Sequence, residues 1–145
     1  MYLKEHQAEI DNAYVLISQL KSDKKRWIDI KNNLYELINN VITSYKIDKN
    51  KISLTGHSMG GTGTWNLALE FLELFSCIAP LSGSVSISEV NINKLKNIPI
   101  RAYVGSLDKI VPPTSTIQMI AALKKVGGKA DVVILDGLHI LMFRS

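Results

Sequence analysis

The apolar positions of this chain follow two periods in turn, which predicts strands and helices that alternate along its length. Short runs rich in apolar residues, typical of strands, recur between segments with helical spacing. The runs that predict strands are residues 13–20, 51–55, 77–81, 98–105 and 130–135. The segments with helical spacing predict helices over residues 27–45, 62–72 and 114–126, with a short further helix over 89–96.

The first run, residues 13–20, is continuously apolar and rich in β-branched side chains. Such a run predicts a strand that is buried on both faces, as strands of parallel sheets are. The polar segment before it, residues 1–11, predicts a loop or the frayed end of a helix. Further along, Thr114 or Ser115 is the predicted cap of the last helix.

This alternation predicts the fold class, which is an α/β domain with a mainly parallel sheet of about five strands flanked by helices. The chain has 145 residues, of which 46% are hydrophobic and 21% charged. A chain of that length and composition suits one soluble domain, which we expect to span residues 1–145. The sequence shows no internal repeat and no tract of low complexity.

The net charge of +4 does not by itself indicate a nucleic-acid partner. The tightest basic cluster, residues 21–26, has no recognised nucleic-acid motif beside it and favours a solvated loop. The single cysteine, Cys77, lies in an apolar run and is predicted to be a small buried side chain. We expect no membrane partner and a cytoplasmic location, because no leader peptide or membrane-length apolar run is visible.

The most informative motif is the segment Gly56-His57-Ser58-Met59-Gly60-Gly61, which stands between a predicted strand and a predicted helix. A G-x-S-x-G match in that setting indicates a nucleophile elbow, a sharp turn that exposes a serine hydroxyl. Gly56 and Gly60 would remove side chains that collide across the turn. The alternative is a glycine-rich phosphate cradle, but the lysine that such a cradle uses is missing after Gly61.

Asp108 and His139 are the candidate partners of Ser58, because each follows a predicted strand. A histidine could take the serine proton, and an acid could hold its imidazole in the correct tautomer. Asp131 and Asp136 are rival acids, and Asp136 lies too near His139 to reach its far nitrogen. Two other histidines are weaker candidates for the base: His57 is held within the elbow, and His6 lies in the polar N-terminal segment.

The elbow, the segment Gly105-Ser106-Leu107-Asp108 and the segment Asp136-Gly137-Leu138-His139 resemble the α/β-hydrolase superfamily. The likeness is to its esterase branch, which is dienelactone-hydrolase-like and feruloyl-esterase-like. It implies serine-dependent hydrolysis of a small carboxylic ester through an acyl-enzyme, without metal or cofactor. It also implies that the Met59 backbone N–H is one donor of the oxyanion hole.

The family's second oxyanion donor comes from a glycine-containing loop upstream, and no glycine precedes Gly56 here. The resemblance therefore implies a truncated fold in which a strand between residues 13–20 and the elbow strand is missing. Either these two strands pair directly or another chain fills the gap. Because an uncovered sheet edge promotes association, we expect a homo-oligomer or a partner chain at that edge.

Two alternatives to the esterase remain open from sequence. One is a non-catalytic or partner-dependent fragment that lacks the upstream oxyanion loop. The other is a peptidase or an acyl transferase on the same scaffold, since pocket shape and water access distinguish these activities and a sequence does not give them.

Overall fold

Four parallel strands form the central sheet of the computed structural model, which describes residues 2–3, 13–20 and 25–136. The strands pair in the order β3-β4-β5-β6, and their bounds are β3 Ser53–His57, β4 Cys77–Leu81, β5 Ile100–Gly105 and β6 Ala130–Leu135. β4 and β6 have the bounds that the sequence predicted, and β3 and β5 each begin two residues later than predicted. The predicted α/β class with a mainly parallel sheet is confirmed.

Helices connect these strands in the order that the apolar spacing predicted. Their bounds are α1 Lys31–Ser44, α2 Met59–Glu70, α3 Glu89–Leu95 and α4 Thr114–Lys125. A single 3-10 turn, Trp27–Ile30, leads into α1. The predicted cap of α4 is wrong, because Pro113 occupies the cap position and no side chain caps the helix. Proline suits a helix start because the first turn has N–H groups without intrahelical acceptors.

One apolar core joins the sheet to helices α1, α2, α3 and α4. Trp65 on α2, Leu95 on α3 and Leu123 on α4 are each 0% exposed and belong to one apolar cluster. Trp65 is therefore a packing residue of the core. Cys77 at the start of β4 is only partly buried, so its predicted full burial is wrong.

The strand predicted over residues 13–20 is the main error in the sequence-based fold. Only Leu16–Ile17 is extended there (β2), and it pairs antiparallel with Tyr2–Leu3 (β1) and not with β3. Tyr14, Val15 and Ile17 are exposed. The run therefore contributes no buried strand to the parallel sheet, and the N-terminal segment predicted as loop or helix end contains a strand.

The strands are in register at their carboxyl ends. His57 lies beside Leu81, Leu81 beside Tyr103, and Gly105 beside Leu135. The segments that follow β3, β4, β5 and β6 therefore all leave the sheet at the same edge. In open parallel sheets this is the edge at which ligands bind.

Candidate active site

Ser58 stands alone between the last residue of β3 and the first residue of α2. Its backbone has φ 56° and ψ −115°, a left-handed region that residues with a side chain rarely adopt. Such strain is held only where the surroundings fix it, and it recurs at functional sites. The geometry agrees with the predicted elbow, in which a sharp bend places a serine at the apex.

Two close backbone approaches hold this bend. A Cβ atom on Gly56 would lie 2.4 Å from the carbonyl oxygen of Gly60, so only glycine fits at Gly56. A Cβ atom on Gly61 would lie 2.3 Å from the carbonyl oxygen of Leu81. The steric role predicted for Gly60 itself is not found, because outside its chain neighbours and its own helix the nearest atom to a Cβ there is Trp27 Nε1, 3.9 Å away. Its backbone, and not its missing side chain, is what the turn needs.

Hydrogen bonds tie the elbow to the neighbouring strand and to its own helix. The Ser58 N–H donates to the carbonyl oxygen of Leu81 (2.9 Å), and the Thr62 N–H donates to the carbonyl oxygen of Ser58 (3.0 Å). Because Thr62 makes the first bond of this helical turn, the N–H groups of Met59, Gly60 and Gly61 have no acceptor within the helix. The Met59 N–H, named for the oxyanion hole, is thus at the positive end of α2 beside Ser58.

Asp108 lies in the loop that follows β5, two strands along the sheet from β3. Its carboxylate oxygen Oδ1 accepts the N–H groups of Ile110 (3.0 Å) and Val111 (2.9 Å). These bonds fold the loop into a tight turn and fix the orientation of the half-buried side chain. With adjacent strands about 4.8 Å apart, the ends of β3 and β5 are separated by roughly 10 Å, a gap that an imidazole and two side chains can span.

The structure separates the two rival acids from each other. Asp131 is the second residue of β6 and so lies at the amino end of the sheet, opposite the elbow. There it accepts a hydrogen bond from Lys124 (3.2 Å), which lowers the pKa of the Asp131 carboxyl below its ordinary value. Asp136 follows β6 at the same edge as Ser58, and its side chain is exposed.

Two of the three histidines, His139 and His6, lie outside the described residues, so the predicted base stays a prediction. His57 is the last residue of β3 and has an exposed side chain. β6 ends at Leu135, beside the end of β5, and the chain leaves it at the edge that carries Ser58 and Asp108.

Ser82 is a second strained serine at this edge, although its sequence has no elbow motif. It follows β4 directly, has φ 43° and is 2% exposed. Its N–H donates to the carbonyl oxygen of Tyr103 (2.9 Å), and its hydroxyl has no hydrogen-bond partner among the described residues. The one signal in the sequence was Gly83, whose Cβ would lie 2.2 Å from the backbone of Gly61.

The described residues contain no group of three or more histidine, cysteine, aspartate or glutamate side chains that could hold a metal ion. Within the same ranges, none of the helices combines the length and the apolar composition that crossing a bilayer requires. Among the described residues, this edge carries the hydroxyl of Ser58, the carboxylates of Asp108 and Asp136 and the imidazole of His57.

Comparisons with known proteins agree with this geometry. The model of the dienelactone hydrolase family matches residues 1–139. No curated protein matches the chain.

Among solved structures, a thermostable esterase superposes with a TM-score of 0.70 and 31% identity over 75% of this chain. SOBER1 of Arabidopsis thaliana superposes with a TM-score of 0.62 and 22% identity over 80% of this chain. The esterase PE8 superposes with a TM-score of 0.63 and 20% identity over 82% of this chain. The matches span 29% of the thermostable esterase, 57% of SOBER1 and 59% of PE8, so this chain covers less than two thirds of each.

Proposed function

Because the chain belongs to the dienelactone hydrolase family, we propose that it is a serine hydrolase that cleaves carboxylic esters through an acyl-enzyme. The observation that carries the proposal is the strained Ser58 at the apex between β3 and α2. A serine with left-handed backbone angles costs free energy, and such strained residues cluster at active sites, where the strain exposes a reactive group. The esterases among the similar structures favour an ester as the substrate class.

The proposed roles follow from the chemistry of each group. Ser58 Oγ attacks the ester carbonyl while the imidazole of His139 takes its proton, and the C–O bond to the alcohol breaks as His139 returns that proton to it. Water then attacks the acyl-enzyme by the same path and releases the acid. Asp108 holds the imidazole and stabilises its protonated form. The Met59 N–H stabilises the oxyanion, helped by the positive end of α2.

A fluorophosphonate probe and a short-chain p-nitrophenyl ester test this proposal together. We expect labelling of Ser58 and release of p-nitrophenolate, and we expect both to be lost in Ser58→Ala. The matched control is Ser53→Ala, which removes an exposed serine hydroxyl from β3 and should keep both signals. A folded protein with neither a Ser58 adduct nor turnover contradicts the proposal. Turnover of a p-nitroanilide in place of the ester would support the peptidase alternative.

The sheet edge at β3 supports a second proposal, that the chain associates with a copy of itself or with a partner chain there. Among the described strands β3 pairs on one side only, with β4. Its outward residues Ser53 and Thr55 are exposed and uncharged, and β3 carries no lysine or proline that would block strand addition. A partner strand at this edge would stand next to the elbow, where a second oxyanion donor is needed.

A further inference from the structure

Large apolar side chains are exposed around the candidate active site. They lie in the segments that follow β3, β4 and β5, and we call them the apolar rim: Met59, Ile87, Val90, Leu107 and Ile110. Met59 directly follows Ser58 and is 46% exposed, and Ile110 in the Asp108 loop is 77% exposed. Single exposed apolar residues are ordinary on a protein surface, but several at one edge indicate a binding surface.

Hydrogen bonds between hydroxyl groups and the backbone connect these segments. The Ser84 N–H donates to the hydroxyl of Thr62 in the first turns of α2 (3.0 Å). The hydroxyl of Thr116 in the first turn of α4 donates to the carbonyl oxygen of Gly83 (2.8 Å) and is buried. The segment after β4 is therefore fixed between the helix that begins at the elbow and the helix that follows the Asp108 loop.

The same segments carry little charge. Residues 82–88 contain no ionisable side chain, and residues 106–113 contain only Asp108 and Lys109. Asp108 already accepts two backbone N–H groups, from Ile110 and Val111. Within these two segments an anionic substrate group would find only Lys109 as a partner of opposite charge, so its loss of hydration would be poorly compensated there.

We infer that the substrate is a neutral ester with an apolar chain that lies against the apolar rim, a conclusion that rests on the proposed esterase function. The rim flanks Ser58 through Met59 and the candidate acid through Leu107 and Ile110. An ester held at Ser58 would extend its chain across these side chains. Each methylene removed from water then contributes to binding at the transition state.

A chain-length series measures this contribution. The kcat/KM for p-nitrophenyl acetate, butyrate, valerate and hexanoate should rise by up to about fourfold per methylene. A parallel series of acetates from ethyl to hexyl, followed by acid release, shows whether the alcohol carries the chain instead. The p-nitrophenyl monoester of glutaric acid, an anionic match for valerate, should react at least about tenfold more slowly than valerate because its carboxylate must lose water.

Substitutions in the apolar rim test whether the apolar chain of the ester lies there. Ile87→Ser and Ile110→Ser should each flatten the rise per methylene, because each removes apolar contact from a different segment. The matched control is Val126→Ser at the end of α4, which is 49% exposed and precedes β6 at the opposite end of the sheet. It should keep the wild-type slope.

Several outcomes overturn the inference. They are flat slopes in both series, a slope that neither rim variant changes, and a preference for the anionic ester. A change in elution volume on gel filtration, caused by the rim variants and not by Val126→Ser, would show a self-association surface instead. If the wild-type protein neither hydrolyses any of the esters nor is labelled at Ser58, the proposed esterase function is wrong. If Ser58 is labelled but the rate does not depend on chain length, only the inference about the apolar rim is wrong.

Discussion

At Gly56 the place of a side chain is taken by the carbonyl oxygen of Gly60, which would lie 2.4 Å from a Cβ atom there. This contact joins the end of β3 to the first turn of α2 across the strained Ser58. Both glycines match the same motif, yet they act differently, because Gly60 has room for a methyl group within the described structure. The bend that presents Ser58 therefore depends on the lack of a side chain at Gly56 and at Gly61, but not at Gly60.

Gly56→Ala and Gly60→Ala form a matched pair of substitutions. Gly56→Ala should lower the free energy of unfolding by about 3 kcal/mol and reduce Ser58 labelling, since backbone atoms must move apart. Gly60→Ala should be neutral or raise it by up to about 1 kcal/mol, because alanine favours helix formation. Chemical denaturation and fluorophosphonate labelling of each variant measure the two effects. Equal losses in both variants would contradict the distinction between them.

Asp108→Asn tests the proposed acid without unfolding its loop. Asparagine keeps an oxygen to accept the N–H groups of Ile110 and Val111, so the turn should survive, and thermal unfolding should be unchanged. The negative charge beside the imidazole is lost, and kcat/KM should fall by about three to four powers of ten. Asp136→Asn, a rival acid at the same edge, should have little effect. A larger loss in Asp136→Asn than in Asp108→Asn would exchange their roles.

Ser82→Ala should stabilise the protein. The Ser82 hydroxyl is buried and has no partner among the described residues, so its removal should raise the free energy of unfolding by about 1 kcal/mol. The left-handed backbone is retained, which separates this effect from relief of strain. Thermal unfolding measures the shift, and the exposed Ser84→Ala is the control that should show none. Destabilisation by Ser82→Ala would mean that the hydroxyl holds a group, such as an ordered water.

Acid should weaken the link between α4 and β6. The hydrogen bond from Lys124 lowers the pKa of Asp131 below its ordinary value of 3.8, so the folded state binds this proton less tightly than the unfolded state. The resulting stability is present above about pH 4 and is lost as the pH falls through the lowered pKa. Both side chains are about half exposed, so the effect should be small.

The thermal midpoints of wild type and Asp131→Asn measure this loss. The midpoint of Asp131→Asn should be lower than that of wild type at pH 6, and this difference should shrink at pH 2 to 3. Lys124→Gln should lower the midpoint by the same amount, and the double variant should show no further loss. A difference that does not change with pH would assign the effect of Asp131 to packing.

A charge on the β3 edge should reduce association if strands pair there. Ser53→Lys places a cation on the exposed side of β3, where it opposes addition of another strand. Light scattering after gel filtration should show a lower mean mass than wild type at equal concentration. Asn40→Lys adds the same charge on an exposed position of α1 and should leave the mass unchanged. A wild-type protein that is monomeric at all concentrations would contradict self-association along this edge.

The sequence by itself determined those elements whose pattern is local. β4 and β6 have the predicted bounds because short apolar runs end at turn-forming residues. α4 ends one residue before its predicted end, whereas α2 begins three residues earlier and ends two residues earlier than predicted. The elbow was also readable, since a strand, a glycine-flanked serine and a helix are adjacent in the chain. Ser58 and Asp108 each follow a predicted strand, which placed both at one edge because parallel strands share their carboxyl side.

Only the tertiary structure decided what depends on neighbours distant in sequence. Residues 13–20 have the composition of a buried strand, but burial requires covering elements, and the structure pairs Leu16–Ile17 with Tyr2–Leu3 and leaves Tyr14 exposed. The burial of the Ser82 hydroxyl without a partner among the described residues follows in the same way from strand order and register, which no local pattern encodes. The spacing of apolar residues shows which face of a segment could be buried, but only the tertiary structure determines whether another element covers that face.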